Sequence, residues 1–243
     1  MLDFLKKAYI AHRGVHDENI PENSLIAFQK AVDLGYNIEL DVHIIKDNNI
    51  VVFHDDNLER MTGINRNLKD CTYEELQSYS LKNTNQKIPL LSDVLKLVNG
   101  KVALIVELKI DQSTGKLEQK LLEMLKKYNG NYAIESFRPT TVKWFRKHAP
   151  NIIRGQLSGD FSTSKMPTIQ KWFLKNMFTN WITNPHFIAY DINALPSKVI
   201  EKNRGKRLII GWTVNTREDY EKAFPYCDNL IFNNIEKLEL PDK

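Results

Sequence analysis

The sequence predicts an α/β fold, a (β/α)8 TIM barrel with a small insertion after strand 2, and three observations carry the prediction. Short β-branched runs alternate with longer periodic segments along the chain, the pattern of parallel strands joined by outer helices. Two neighbouring runs are joined by a turn too short for a parallel crossover. One polar stretch then breaks the rhythm. A length of 243 residues suits one such barrel, so we expect a single domain over 1–243 with its insertion at approximately 46–90.

Nine runs read as strands: 8–12, 37–45, 50–54, 102–109, 132–137, 152–157, 187–192, 207–214 and 229–232. Helical patterns lie at 24–34, 91–98, 114–127, 139–147, 167–178, 196–203 and 216–223. Asn23 before Ser24-Leu25 and Ser92 before Asp93 read as helix caps. Nine strands are one too many for the barrel. The runs 37–45 and 50–54 flank Lys46-Asp47-Asn48-Asn49, so they form an antiparallel hairpin centred between Asp47 and Asn48, with position 41 facing position 54. The arm 50–54 is then an excursion, and the other eight strands close the barrel. Residues 55–90 are polar and weakly periodic, with one short helix signal, Thr72 followed by Glu74-Glu75-Leu76. A loop after a barrel strand is placed to act as a substrate lid; a solvated excursion without function is the alternative.

Hydrophobic content of 42% and charged content of 26% allow a large core that needs neither disulfide nor metal to fold. A net charge of +4, with acids and bases interspersed, speaks against nucleic acid and suits a small anionic substrate. Cys71 and Cys227 form neither a metal spacing nor a disulfide framework, so we expect two free thiols in a reducing cytoplasm. The opening MLDFLKKAYIAHRG lacks the apolar stretch of a signal peptide. No window approaches the roughly 18 apolar residues of a membrane span. The expected chain is cytoplasmic.

In Ile38-Glu39-Leu40-Asp41-Val42 the acids are two apart and share one face of a strand, while the apolar residues fill the other. Carboxylates aimed into a barrel are costly unless paired, and a divalent cation with oxygen ligands, Mg²⁺ or Ca²⁺, is a natural remedy. Val106-Glu107-Leu108-Lys109 repeats the device: Glu107 is a candidate third carboxylate, and Lys109 a positive partner for the site or for a phosphate. For either strand a buried salt bridge is the competing reading. His12 ends the first strand and His54 the hairpin arm, both at the C-terminal mouth, where two imidazoles can serve as general acid and base. Arg13 offers the fork that grips phosphate.

His12-Arg13-Gly14, PENS (21–24), IELDV (38–42), KDNNIVVFHDDNLERMTG (46–63), IPLLSDVL (88–95), VELK (106–109), ESF (135–137) and GWTVN (211–215) occur in this order. Over about nine-tenths of the chain the set resembles the glycerophosphodiester phosphodiesterase family. The resemblance implies an eight-stranded barrel with an insertion after strand two. It implies Glu39, Asp41 and Glu107 as ligands of a divalent metal ion, His12 and His54 as acid–base residues, and Arg13 and Lys109 as phosphate-binding residues. Trp212, and similarly Phe137, would line the substrate pocket near the glycerol, with rim packing as the alternative. The implied reaction is hydrolysis of a glycerophosphodiester to sn-glycerol 3-phosphate and an alcohol. Departures are mild: Ser24 stands for a usual Thr, Ile45 for a frequent Thr, Asn48 for a frequent Gly, and Ile231-Phe232-Asn233-Asn234 for a Thr-Asp-Pro-like end.

Two further readings stay open: cleavage of lysophospholipids on the same side of the phosphate, and a non-catalytic barrel that binds phosphodiesters. For KWFLKNMFTNWI (171–182), packing between barrel and helix is expected, and peripheral contact with a membrane or lipid is the alternative. His16, His43, His148 and His186 read as loop or surface residues, with His43 facing the same way as Asp41.

Overall fold

The computed structural model describes residues 2–110, 114–161, 168–238 and 240, and its strands fall where the alternation put them. They are β1 (Ile10–His12), β2 (Asn37–Ile44), β3 (Ile50–Val52), β4 (Leu104–Leu108), β5 (Tyr132–Ser136), β6 (Ile153–Ser158), β7 (Phe187–Asp191), β8 (Leu208–Val214) and β9 (Asn229–Phe232). β3 is the extra arm; the other eight are the strands of a (β/α)8 barrel. The seven predicted helices are present, from Leu25–Asp33 to Arg217–Ala223. Position 167, the predicted start of one of them, lies outside the described residues. Contacts group the chain into two compact units, Ala11–Tyr132 and the remainder.

In the unit Ala11–Tyr132, β2 carries the site. Its Ile38, Leu40 and Val42 are fully buried, and burying each side chain stabilises the fold by roughly 1.5–3 kcal/mol. β2 pairs in parallel with β4, setting Asp41 opposite Glu107, and antiparallel with β3. The hairpin register is one residue away from the expectation. Val42 faces Val52 and Ile44 faces Ile50, so Asp41 faces Phe53, whose amide donates to the Asp41 carbonyl at 3.0 Å. The cause is the turn. The Ile45 amide donates to the Asn49 carbonyl, and Asn48 takes a left-handed φ of 66°. The loop thus holds three residues instead of four, and His54 follows just beyond the strand.

The insertion is less solvated than its composition suggests. Leu58, Met61, Leu68, Cys71, Leu76, Leu81 and Ile88 join Ile45, Val51 and Phe53 in a buried apolar cluster. Three short helical segments carry it: Glu59–Thr62, Leu68–Asp70 and Tyr73–Leu76. The Thr72 signal marks a true capping box, with reciprocal bonds between Thr72 and Glu75. Elsewhere the predicted caps shift by a residue or two. Ser24, rather than Asn23, caps the helix Leu25–Asp33 by accepting from the Ala27 amide; Ser92 lies within the helix Leu91–Val98, whose cap is Leu90. Cys71 and Cys227 are free.

In the second unit, β5 to β9 follow one another in parallel register. The helix Phe4–Lys7, absent from the sequence reading, is tied to β9 by Asn229, whose side-chain amide donates to the carbonyls of Leu5 and Ala8. A bulge between Gly211 and Val214 interrupts the alternation of β8. The aromatic segment 171–182 departs from the packing expected of it. Met177 is buried, but Trp172, Phe178 and Trp181 are exposed. Among the described residues, no helix is long and apolar enough to cross a membrane.

Candidate active site

The His12-Arg13-Gly14 turn is shaped by its backbone. Arg13 (φ 56°) and Gly14 (φ 82°) are both left-handed, and a Cβ at Gly14 would stand 2.9 Å from Ala27, so only glycine fits there. The turn aims the Arg13 amide at Glu39 Oε2, 3.1 Å away. Its guanidinium donates to Glu22 Oε1 at 2.7 Å and lies 3.2 Å from Asp41 Oδ2. Asn23, also left-handed (φ 54°), donates its side-chain amide to Asp41 Oδ2 at 2.8 Å. The Pro-Glu-Asn-Ser loop therefore steadies both Arg13 and Asp41.

Glu39, Asp41 and Glu107 are buried, and one oxygen of each lies within 4.8 Å of the others. Lys109 reaches in beside them, its Nζ 3.1 Å from Asp41 Oδ1 and 2.7 Å from Glu107 Oε1. Burial alone would raise Asp41, but Lys109 and Arg13 overcome it and hold the carboxyl far below the usual range. Glu107 goes the other way: burial, aided by Asp41, outweighs Lys109 and pushes its carboxyl up. When all three carboxylates are ionised, Arg13 and Lys109 leave the pocket one positive charge short. A divalent cation fits the donor set, because three convergent carboxylates are hard oxygen ligands and the ion would supply the missing charge.

Two imidazoles border this cluster. His12 Nε2 is 3.9 Å from Glu39 Oε2. His54 holds Nδ1 against Asp55 Oδ1 at 2.6 Å, which fixes the orientation of its ring. Burial, together with the charge of Lys109, lowers the His54 pKa and favours a neutral imidazole. His43, expected at the surface, is buried, and its Nε2 meets the His54 carbonyl at 3.2 Å; the alternative noted for it, facing with Asp41, is the one its burial matches. Beside Lys109 a cavity of about 210 Å³ opens, bordered by His43, Asp56, Asn67 and Lys69. Insertion residues therefore form part of its wall.

Sequence reasoning missed Asp55, Arg60 and Asn23. Arg60 donates from Nε to Asp55 Oδ2 at 2.6 Å. It also makes a two-pronged contact with Glu22, at 2.7 and 3.0 Å. His54, Asp55, Arg60, Glu22 and Arg13 thus form one continuous chain of contacts. The signal was present in the run 54–60, where His, Asp and Arg are close in sequence, but the partner Glu22 is 38 residues from Arg60.

Phe137 and Trp212 lie in the second unit, where their rings meet edge to face at 5.6 Å. Phe161 packs on Phe137 at 6.2 Å. Trp212 Nε1 is buried without a hydrogen-bond partner, an orphan donor of the kind that ligands satisfy.

Barrel and site together define a class: a (β/α)8-barrel hydrolase. Residues 12–237 match the family described as glycerophosphoryl diester phosphodiesterase. A glycerophosphodiester phosphodiesterase of Caldanaerobacter subterraneus is 30% identical over 96% of this chain and 97% of its own length. The chain belongs to that family. A lysophospholipase D of Homo sapiens is 37% identical over 52% of this chain and 43% of its own. In fold, the chain resembles a phosphodiesterase of Oleispira antarctica solved with its product sn-glycerol-3-phosphate. That likeness has a TM-score of 0.83 at 19% identity and covers 97% of this chain and 96% of that one.

Proposed function

We propose that the chain is a cytoplasmic, metal-dependent enzyme that hydrolyses glycerophosphodiesters to sn-glycerol 3-phosphate and an alcohol. The observation that carries the reading is the convergence of three buried carboxylates with two cations and two imidazoles in one unit. Glu39, Asp41 and Glu107 would hold Mg²⁺ or Ca²⁺, which when bound offsets charge on the phosphoryl oxygens. Arg13 and Lys109 bind the phosphate and stabilise the charge that builds on it. Of His12 and His54, one takes the proton of the nucleophile and the other gives a proton to the leaving alkoxide. Phe137 and Trp212 pack on the glycerol, a role supported by the unpaired indole N–H of Trp212. The insertion borders the cavity beside Lys109, as a lid over the substrate would.

Replacement of either imidazole tests the assignment. His54→Ala or His12→Ala should slow release of sn-glycerol 3-phosphate from glycerophosphocholine by roughly 10²–10⁴-fold, the usual worth of a general acid or base. Full activity in either variant, or in Glu39→Ala, contradicts it. Lysophospholipase D-type cleavage is a second reading, supported by similarity to the human enzyme of that name. Faster turnover of lysophosphatidylcholine than of glycerophosphocholine would favour it. Absence of turnover across a diester panel with each metal, while a diester still raises the melting temperature, would favour a binding barrel.

A further inference from the structure

The helix Thr168–Lys175 and the segment leading through the short helix Asn180–Thr183 turn large apolar side chains to solvent. Trp181 is 78% exposed and Ile169 74%, while Trp172, Phe173 and Phe178 are about half exposed. The last three form one cluster, with ring centroids 4.9 to 5.8 Å apart. Buried anchors hold the cluster in place. The Ser158 hydroxyl, at the end of β6, donates to the Leu174 carbonyl at 3.0 Å, and Met177 is buried beneath. Arg146 donates to the carbonyls of Trp181 and Ile182, so Trp181 stands against the helix Pro139–His148.

The charged side chains on these helices are all basic. Lys143, Arg146 and Lys147 border a shallow cavity with Trp181 and Ile182, and Lys171 and Lys175 lie on the aromatic helix itself. From 161 to 190 the sequence contains no acidic residue. Tryptophan and phenylalanine with a lysine and arginine rim is the composition of segments that settle at the bilayer interface. The rim also argues against a second copy of the chain, since a two-fold contact would set basic residues against basic residues. An anionic lipid headgroup layer complements both features at once.

We propose that this face docks the chain on an anionic lipid surface, aromatic rings at headgroup depth and the basic rim on the phosphates. The full chain should sediment with phosphatidylglycerol vesicles, remain in solution with phosphatidylcholine vesicles, and detach as salt is raised. Trp172→Ser combined with Trp181→Ser should weaken the binding at least tenfold, and Lys171→Glu with Lys175→Glu should do the same. Both variants should keep the wild-type circular dichroism spectrum and the wild-type rate on water-soluble glycerophosphocholine. Absence of wild-type binding to phosphatidylglycerol would overturn the proposal, as would equal binding by the variants. Elution of the wild type as a dimer that Trp181→Ser converts to a monomer would also overturn it, making a second copy the occupant. Vesicle binding is read without turnover, so its failure is separate from any failure of the catalytic assignment.

Discussion

Arg60 sits on the helix Glu59–Thr62, apart from the residues expected to touch substrate, yet it clamps Asp55 and Glu22 together. Asp55 orients His54, and Glu22 braces Arg13. On the proposed assignment Arg60 therefore positions both His54 and Arg13. Arg60→Met should lower kcat roughly 10- to 100-fold with little change in KM, as loss of an orienting partner does. It should also move upward whichever limb of the pH profile His54 governs, because Asp55, freed of Arg60, favours the imidazolium of His54. Partial rescue by Arg60→Lys, with the limb returned, separates positioning from simple loss of structure. Glu22 offers a test by stability. Burial would raise its carboxyl, but hydrogen bonds from Arg60 and Arg13 bring it down to about 2. A depressed carboxylate stabilises the fold above its unfolded pKa and loses that contribution as pH falls through the folded one. Glu22→Gln should thus cost on the order of 2 kcal/mol at pH 7, allowing for the half-exposed Arg60. The deficit should shrink between about pH 4.5 and 2 in thermal unfolding. The convergence of Glu39, Asp41, Glu107 and Lys109 was legible from strand parity, and His12 and Arg13 from the end of β1. His54 was expected opposite Asp41, a place the register gives to Phe53, although it still lies near enough to act on the Asp41 charge. Asn23 and Arg60 were not legible, because their contacts depend on left-handed loop backbone and on neighbours far along the chain.

Among the elements, the β2–β3 hairpin shows how a sequence can give the right partners and the wrong register. The polar run Lys46 to Asn49 reads as four turn residues, yet left-handed Asn48 shortens the loop to three. Asn48→Gly should leave stability nearly unchanged, since Asn already tolerates this conformation. Asn48→Val should cost roughly 1–2 kcal/mol, measured by denaturant unfolding. The segment 171–182 illustrates a different limit. Its apolar content was visible, but composition does not say which side of a helix meets protein, and only the fold reveals that the tryptophans face water. The insertion errs in the opposite direction: few of its residues are apolar, yet those few meet in a buried cluster.

For the molecule as a whole, the alternation of strand and helix was enough to set the barrel, because each unit is local and recurs along the chain. The charge of the pocket required the structure, since only there do three carboxylates and two cations share one space. If the carboxylates hold a cation, stability should respond: Mg²⁺ or Ca²⁺ at 100 times its Kd should stabilise the metal-stripped chain by about 2.7 kcal/mol. The most direct measurement is the rate at which metal-stripped chain releases sn-glycerol 3-phosphate from glycerophosphocholine, with and without added Mg²⁺ or Ca²⁺. We predict no release under chelation and recovery on adding one of the two ions. Undiminished release in the presence of chelator would contradict the account.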